Sequence, residues 1–380
     1  MTKKLALLSG KGGSGKTSLS LCIANLLSSC GIKTLLVDCD LSTNGATYFF
    51  EDYLNADGSF CSIWSLCQSK GTPQLKDKKE IIASIKDNFD FIPSVSKIDG
   101  SIIEKSNESF FSYSIFDKIV DSYDAVIFDC QAGYSFILQS LLPHVDETLF
   151  VMEADAISSS SIRSLHLKIG SFLSRKSYQV FNKVSLEEYK IYNKVSGGTL
   201  FTNIESIMFD WTIRKAFALS QIPSIENVSF HFYEQILKIC KVLFGENTYL
   251  DKIDAFSKII TRKKILEEKR ELFEILNETK AQAKTSRIKL FSTLSITCAL
   301  LAFIFVYITF IKDPFGLNWS EIVAILCSIL VFITSFLARK VYNRGDSIAN
   351  IQQRIEDLDF EAQKLGITDI IRSSTLEIKL

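Results

Sequence analysis

Several familiar resources are missing from this chain of 380 residues. It has nine cysteines and three histidines, scattered without any Cys-x-x-Cys pair, so zinc fingers and redox dithiols are not expected. The cysteines read as small buried hydrophobes in a reducing compartment. Charge of one sign is missing too. With 43 basic and 43 acidic residues, no overall field marks a nucleic-acid binder, and no sequence-specific nucleic-acid partner is expected. Proline is scarce, five in all, which suits long uninterrupted helices. A secretory signal is not expected either. The opening "MTKKLALLSG" has two lysines, but its apolar run stops after four residues at a charged loop, and it reads as a first β-strand.

What is present over residues 1–248 is an alternation of short apolar runs with amphipathic stretches. "KLALLS", "KTLLVD", "FDFIPS", "DAVIFD", "ETLFVME" and "YQVFNKV" are continuous rather than alternating, the pattern of strands buried on both faces. Helices are predicted over 18–29, 110–121, 159–173 and 230–244. Together these specify an α/β fold with a mostly parallel sheet and helices on both faces.

After Gly245 the composition changes. Residues 251–289 are charged, free of glycine and proline, with Ile259, Leu266 and Phe273 at sevens; they predict a helical stalk. Residues 290–311 carry no charge, and as a helix they span about 33 Å, the thickness of a bilayer core. A second apolar run, 322–338, is extended to 319 by Trp319 and Ser320. With a loop at 312–318 containing Pro314 and Gly316, the two runs predict a transmembrane hairpin. The competing reading is a pair of buried core helices. Lys280, Lys284, Arg287 and Lys289 precede the first span, and Arg339, Lys340 and Arg344 follow the second, which places both termini in the cytoplasm. Over 339–366, Ile348, Ile351, Ile355, Leu358, Ala362 and Leu365 form a coiled-coil seam. Its partner is either the stalk of the same chain or a second copy. Residues 367–380 form a tail.

The chemistry is concentrated near the N-terminus. "GKGGSGKT", Gly10 to Thr17, follows a strand and precedes a helix, as a phosphate loop must. Gly12, Gly13, Ser14, Gly15 and Ser18 complete a cradle whose backbone N–H groups face phosphate oxygens, with Lys16 toward the β- and γ-phosphates and Thr17 on Mg²⁺. Asp38 and Asp40 sit at the end of the second strand and Asp129 at the end of "DAVIFD", the edge where such sheets bind ligands. Gly133 is placed to turn its N–H toward a γ-phosphate.

These segments resemble the MinD/ParA family of P-loop ATPases, whose deviant phosphate loop reads KGGxGK[ST]. "VDCDLSTNGAT" is similar to the family's D-x-D-P-Q-G-N-A-T, "FDFIPS" to its strand ending in Pro-(Ala/Ser), and "DCQAG" to its D-T-P-A-G switch. "VFNKV" is similar to its strand ending in Asn-(Lys/Arg), and "MFDWTIRKAFALSQIPSIE" to its I-P-x-D…A…G-x-P-V. The resemblance implies ATP and Mg²⁺ as cofactors. Lys16 holds phosphate, Thr17 and Asp129 serve the metal with Asp38 in support, and Asp40 orients the attacking water. Asn182 and the loop at Pro223 read the adenine, and Lys11 crosses to the nucleotide of a second copy in a homodimer. Two loops depart from the family: Leu41-Ser42-Thr43 replaces Pro-Gln-Gly, and Gln131 replaces the switch proline. The glycine before Pro223 is also missing.

A dimerisation switch anchored in the inner membrane of a bacterium and read by a protein partner is the function this implies. Two alternatives stand beside it: an envelope-type tyrosine-kinase-like protein and an ATP-binding scaffold without turnover. The last residues, "ITDIIRSSTLEIKL", hold no tyrosine, which counts against the kinase.

Overall fold

The computed structural model describes residues 2–54, 62–64, 82–95, 117–173, 176–192, 201–245, 248–310 and 319–367. The predicted loop at 312–318, most of the tail, and 110–116 of the helix predicted at 110–121 lie outside these residues. The chain divides into two compact units, Met1–Ile260 and Thr261–Leu380.

The first unit is built on strands β1 (Lys3–Leu8), β2 (Thr34–Cys39), β3 (Ala83–Lys86), β4 (Phe89–Ile92), β5 (Ala125–Cys130), β6 (Glu147–Met152), β7 (Lys176–Val184) and β8 (Thr202–Met208). They form one sheet in the order β3-β4-β2-β5-β1-β6-β7-β8. Only the β3–β4 pair is antiparallel. Every residue of β2, β5 and β6 is buried, as expected of central parallel strands covered on both sides. The helices of this unit are α1 (Lys16–Ser29), α2 (Gly45–Phe49), α3 (Asp117–Val120), α4 (Phe136–Leu141), α5 (Ala156–Ile169), α6 (Leu186–Tyr192), α7 (Trp211–Ala218) and α8 (Phe230–Phe244).

Side-chain alternation along the strands divides the core in two. Leu5, Leu7, Leu36, Ile127, Leu149 and Val151 face α1 and α8. Ala6, Leu8, Val37, Phe128 and Phe150 face the opposite layer, with α4 and α5. Serine and aspartate caps start α4, α5, α7 and α8: Ser135, Asp155, Asp210 and Ser229 each accept an N–H from the first turn, the role these side chains fill best. Helix α1 has no such cap; it begins after Gly15 in a left-handed conformation (φ 87°).

Helix α9 (Thr248–Phe310) begins on this unit. Tyr249, Ile253, Phe256 and Ile260 recur at threes and fours and join the α1–α8 core, an amphipathic face of the usual period.

In the second unit, α9 beyond Thr261 lies antiparallel to α10 (Trp319–Lys364). Ile265 and Leu272 pack with Leu358, Ala362 and Ile367. Lys269 Nζ meets Asp359 at 2.6 Å, Arg354 Nη2 meets Glu268 at 2.7 Å, and Arg344 donates to the Gln282 carbonyl at 2.6 Å. The seam is therefore filled within one chain. One predicted seam residue, Leu365, is exposed, and Ile367 takes its place. Helix α10 stops at Lys364, Gly366 turns left-handed (φ 72°), and Ile367 donates its N–H back to Ala362 at 2.9 Å. This is a glycine-ended helix stop with its hydrophobic contact.

Candidate nucleotide site

The loop between β1 and α1 leaves no room for side chains at two of its glycines. A Cβ at Gly10 would fall 2.5 Å from the Ser161 backbone, and one at Gly15 2.3 Å from Asn182 Nδ2. Gly12 and Gly13 face open space, so the concave side stays accessible. Two features favour an anion there: the uncapped start of α1, and a first turn without acidic residues.

Sheet order brings the remaining groups to this edge. β1 and β2 both flank β5, and Asp38 stands beside Asp129 in register. Lys16 Nζ reaches Asp129 Oδ1 at 2.9 Å, and the Ser20 hydroxyl donates to the same oxygen at 3.1 Å. Burial disfavours the Lys16 ammonium, but the Asp129 charge and hydrogen bond outweigh it and hold its pKa above the ordinary value. Asp129 Oδ2 is buried and makes no hydrogen bond, and neither does the Ser14 hydroxyl in the loop. A buried orphan acceptor of this kind fits a carboxylate that serves a hydrated cation. Among the described residues no three His, Cys, Asp or Glu side chains form a metal cluster. Mg²⁺ commonly needs none, since a hydroxyl, phosphates and water hold it. Thr17 lies beside Gly45 at the start of α2, within the same edge.

Asp38 is fully engaged. It accepts the Asp40 N–H at 3.0 Å, the Thr47 N–H at 2.9 Å and the Thr47 hydroxyl at 2.7 Å. Burial and then the Asp129 charge push its carboxyl up to about 7. Thr47 is tied onward to Ser94 at 2.8 Å, and Ser94 to Asn44 at 2.9 Å. Asp38 thus sets the loop more than it presents itself to a metal.

Asp40 is held by the residues that depart from the family pattern. Its Oδ1 accepts the Ser42 N–H at 3.0 Å, the Ser42 hydroxyl at 2.7 Å and the Thr43 N–H at 3.0 Å, and its Oδ2 accepts the Thr43 hydroxyl at 2.7 Å. Burial pushes this carboxyl up. The Thr43 and Ser42 hydroxyls, the Thr43 N–H and the Lys16 charge more than offset that and leave it below the ordinary carboxylate value.

Four expectations meet a different arrangement. Gly133 donates its N–H to the Ser9 carbonyl at 2.8 Å, not into the loop. Asn182 donates to the Ser14 carbonyl at 2.8 Å and accepts the Lys183 N–H at 3.0 Å, so it clamps the phosphate loop. It still lines a cleft of about 330 Å³ with Gly15, Ser18, Phe209, Asp210 and Arg214. Pro223 is not among the residues lining that cleft; its carbonyl accepts the side chain of Asn25, which draws it onto α1. Lys11 is held within its own chain, 2.9 Å from Glu153 and 3.1 Å from Asp155. Glu153 and Asp155 carry no sequence motif and escape a reading by pattern, while Phe209 and Arg214 fall inside the segment "MFDWTIRKAFALSQIPSIE" without being singled out by it.

Fold and loop together define a P-loop nucleotide-binding domain with a two-lysine phosphate loop. Residues 2–181 match the protein-family model described as "AAA domain". The fold matches MinD, a cell division protein of Aquifex aeolicus, with TM-score 0.51, 20% identity, 65% of this chain and 98% of that one. It matches the MinC:MinD complex of the same organism with TM-score 0.51, 19% identity, 65% of this chain and 97% of that one. An ATP complex of a Cyanothece McdA variant gives TM-score 0.50, 19% identity, 64% of this chain and 96% of that one. No curated protein sequence matches. These findings show that the N-terminal domain shares its fold with MinD and McdA, and the two-lysine loop resembles the phosphate loop of the MinD/ParA family.

Proposed function

We propose that this protein is a membrane-anchored switch that dimerises around ATP and Mg²⁺, hydrolyses ATP slowly and reports its nucleotide state to a protein partner. The observation that carries the reading is the ion pair of Lys16 with Asp129 at the glycine loop, with the free oxygen of Asp129 buried beside it. The ligands named for its structural neighbours, ATP in one and MinC in another, indicate the class of nucleotide and the kind of partner.

Bound ATP–Mg²⁺ supplies the phosphoryl group that passes to water. The chain's own residues do the rest. Loop N–H groups and Lys16 hold the phosphates, the Thr17 hydroxyl and Asp129 serve the cation, and Asp40 orients the attacking water. Lys11 stabilises the developing charge from the second subunit. Placing that cation in trans makes turnover conditional on dimerisation.

The anchor reading rests on exposed apolar surface. One helix among the described residues is long and apolar enough to cross a bilayer by length and composition. Phe291 and Phe303 on α9 and Phe332 on α10 are 69% to 74% exposed. Basic residues flank both apolar runs, which supports a cytoplasmic nucleotide domain in this reading. Confinement to one plane raises the effective concentration of a weak dimer.

The test uses the full-length chain in liposomes with Asp40→Ala. Loss of hydrolysis together with capture of a partner in ATP, and not in ADP, is the expected result. Equal capture in both nucleotides removes the switch. A second reading, an ATP-binding scaffold, is favoured by the four hydrogen bonds that occupy Asp40. Unchanged turnover in Asp40→Ala, or none in the parent, selects it.

A further inference from the structure

Glu153, just past the end of β6, divides its carboxylate between two lysines from distant parts of the chain. Oε2 lies 2.9 Å from Lys11 Nζ and Oε1 lies 3.0 Å from Lys183 Nζ. Lys183 in turn donates to the Gly13 carbonyl inside the phosphate loop, from a left-handed backbone (φ 59°) that lysine seldom adopts. Asp155 also touches Lys11, at 3.1 Å. Most of its capacity, however, is spent capping α5 through the Ser158 N–H and hydroxyl, each at 2.7 Å. A continuous path therefore runs from the loop at Gly13 through Lys183 and Glu153 to Lys11.

We infer that Glu153 is a positioning residue that keeps Lys11 on its own subunit until nucleotide and a second copy compete for it. The inference rests on the dimer reading above and adds a cost to forming that dimer. Lys11 must leave two carboxylates before it reaches a partner's phosphates, and the larger hold comes from Glu153, whose other oxygen senses the loop. An anion arriving at Gly12 and Gly13 draws on Lys183 and Lys11 together, so loading the loop weakens the hold from both ends. Two carboxylates against two ammonium groups leave the cluster neutral at rest. Losing Glu153 leaves it with one uncompensated positive charge that favours an incoming phosphate.

The test compares full-length wild type, Glu153→Gln and Lys183→Met in detergent micelles. Amine acylation of Lys11, read by mass spectrometry without nucleotide, reports the contact directly. It should rise about twofold to fivefold in Glu153→Gln, the size expected for a partly exposed ion pair. It should fall in Lys183→Met, where Glu153 is no longer shared. In a non-hydrolysable ATP analogue with Mg²⁺, the concentration for half-maximal self-association should drop by about the same factor in Glu153→Gln. Affinity for ADP, which needs no second copy, should rise by a smaller factor than self-association does. Equal acylation of Lys11 in all three proteins overturns the inference whatever the association data show, and so does unchanged association of Glu153→Gln where the wild type dimerises. Raised acylation in Glu153→Gln with no self-association of either protein supports the contact and overturns the dimer reading instead.

Discussion

Helix α8 and the middle of α9 draw on the same apolar residue types and meet opposite surroundings. In α8, Phe232, Ile236, Leu237, Ile239, Leu243 and Phe244 are buried under the sheet, while Lys238 and Lys241 pair with Glu205 and Asp254 on the polar side. In α9, Ile288, Phe291, Leu294, Ile296, Leu300 and Phe303 are each 44% to 70% exposed. A one-sided helix takes its stability from the core it covers, whereas one that is apolar all round needs an apolar medium. Each such side chain withheld from an apolar phase forgoes about 1.5–3 kcal/mol. The first unit therefore covers its apolar side chains internally, and the exposed apolar stretch of α9 is the surface on which the proposed anchor rests.

The largest effect should come from charging that exposed surface. Leu300→Lys with Phe303→Lys should penalise insertion by about 5–7 kcal/mol in total, from roughly 2.5–3.5 per lysine at mid-membrane. The double variant is expected to wash out of membranes at alkaline pH while its detergent-solubilised form still turns over ATP. Retention in the membrane would remove the anchor from the comparison. Next in size is Lys16→Ala, expected to lower kcat/KM for ATP about 100-fold or more, or about 3 kcal/mol of transition-state stabilisation. Membrane retention should not change. Release of that variant from membranes would mean that the two regions are not independent.

What could be read in advance follows the same division between local and distant causes. β6 and α8 were legible because a run such as "ETLFVM" or the apolar face of Phe230–Phe244 needs no partner to identify it. β3, "ASIK", and β8, "TNIESIM", were not. Both lie at sheet edges, and β8 buries Glu205, Ser206 and Gln235-bonded backbone through contacts with α8. The phosphate loop was legible because its parts are contiguous. Lys11–Glu153, Lys183–Gly13 and Arg214 in the cleft beside Asn182 were not, since the β1-β6-β7-β8 order brings those residues together. Ser42 and Thr43 were visible as departures from a pattern, but their grip on Asp40 needed coordinates.

A smaller effect is expected from the helix pair. Asp359→Asn leaves the buried ammonium of Lys269 facing an amide in place of a carboxylate 2.6 Å away. Because Asp359 reaches water, the loss should be about 1–2 kcal/mol, below that of a fully buried pair. Hydrogen exchange should speed up about tenfold across 261–286 and 344–364, matching that free energy, with no change in the sheet. Unaltered exchange would show that the apolar seam alone sets the register.

The smallest expected effect sits in the loop that departs from the family. Thr43→Ala removes one hydrogen bond to Asp40 Oδ2 and keeps the three to Oδ1. A single charge-assisted bond of this kind contributes about 1 kcal/mol net, so kcat should fall about threefold to tenfold with KM unchanged. The pH dependence has a definite sign. Burial raises the Asp40 carboxyl, but the Thr43 hydroxyl leads the group of contacts that lower it overall, so the acid limb of kcat/KM should lie below the usual carboxylate range and move up in Thr43→Ala. A depressed carboxyl stabilises the fold above its unfolded value near 4, and that stabilisation is lost as pH falls through the folded value. The Tm gap between Thr43→Ala and wild type should therefore be widest at neutral pH and close below about pH 4. A rise in kcat would reverse the assignment: the Thr43 hydroxyl would then be restraining Asp40, and the loop substitution would be a brake on turnover.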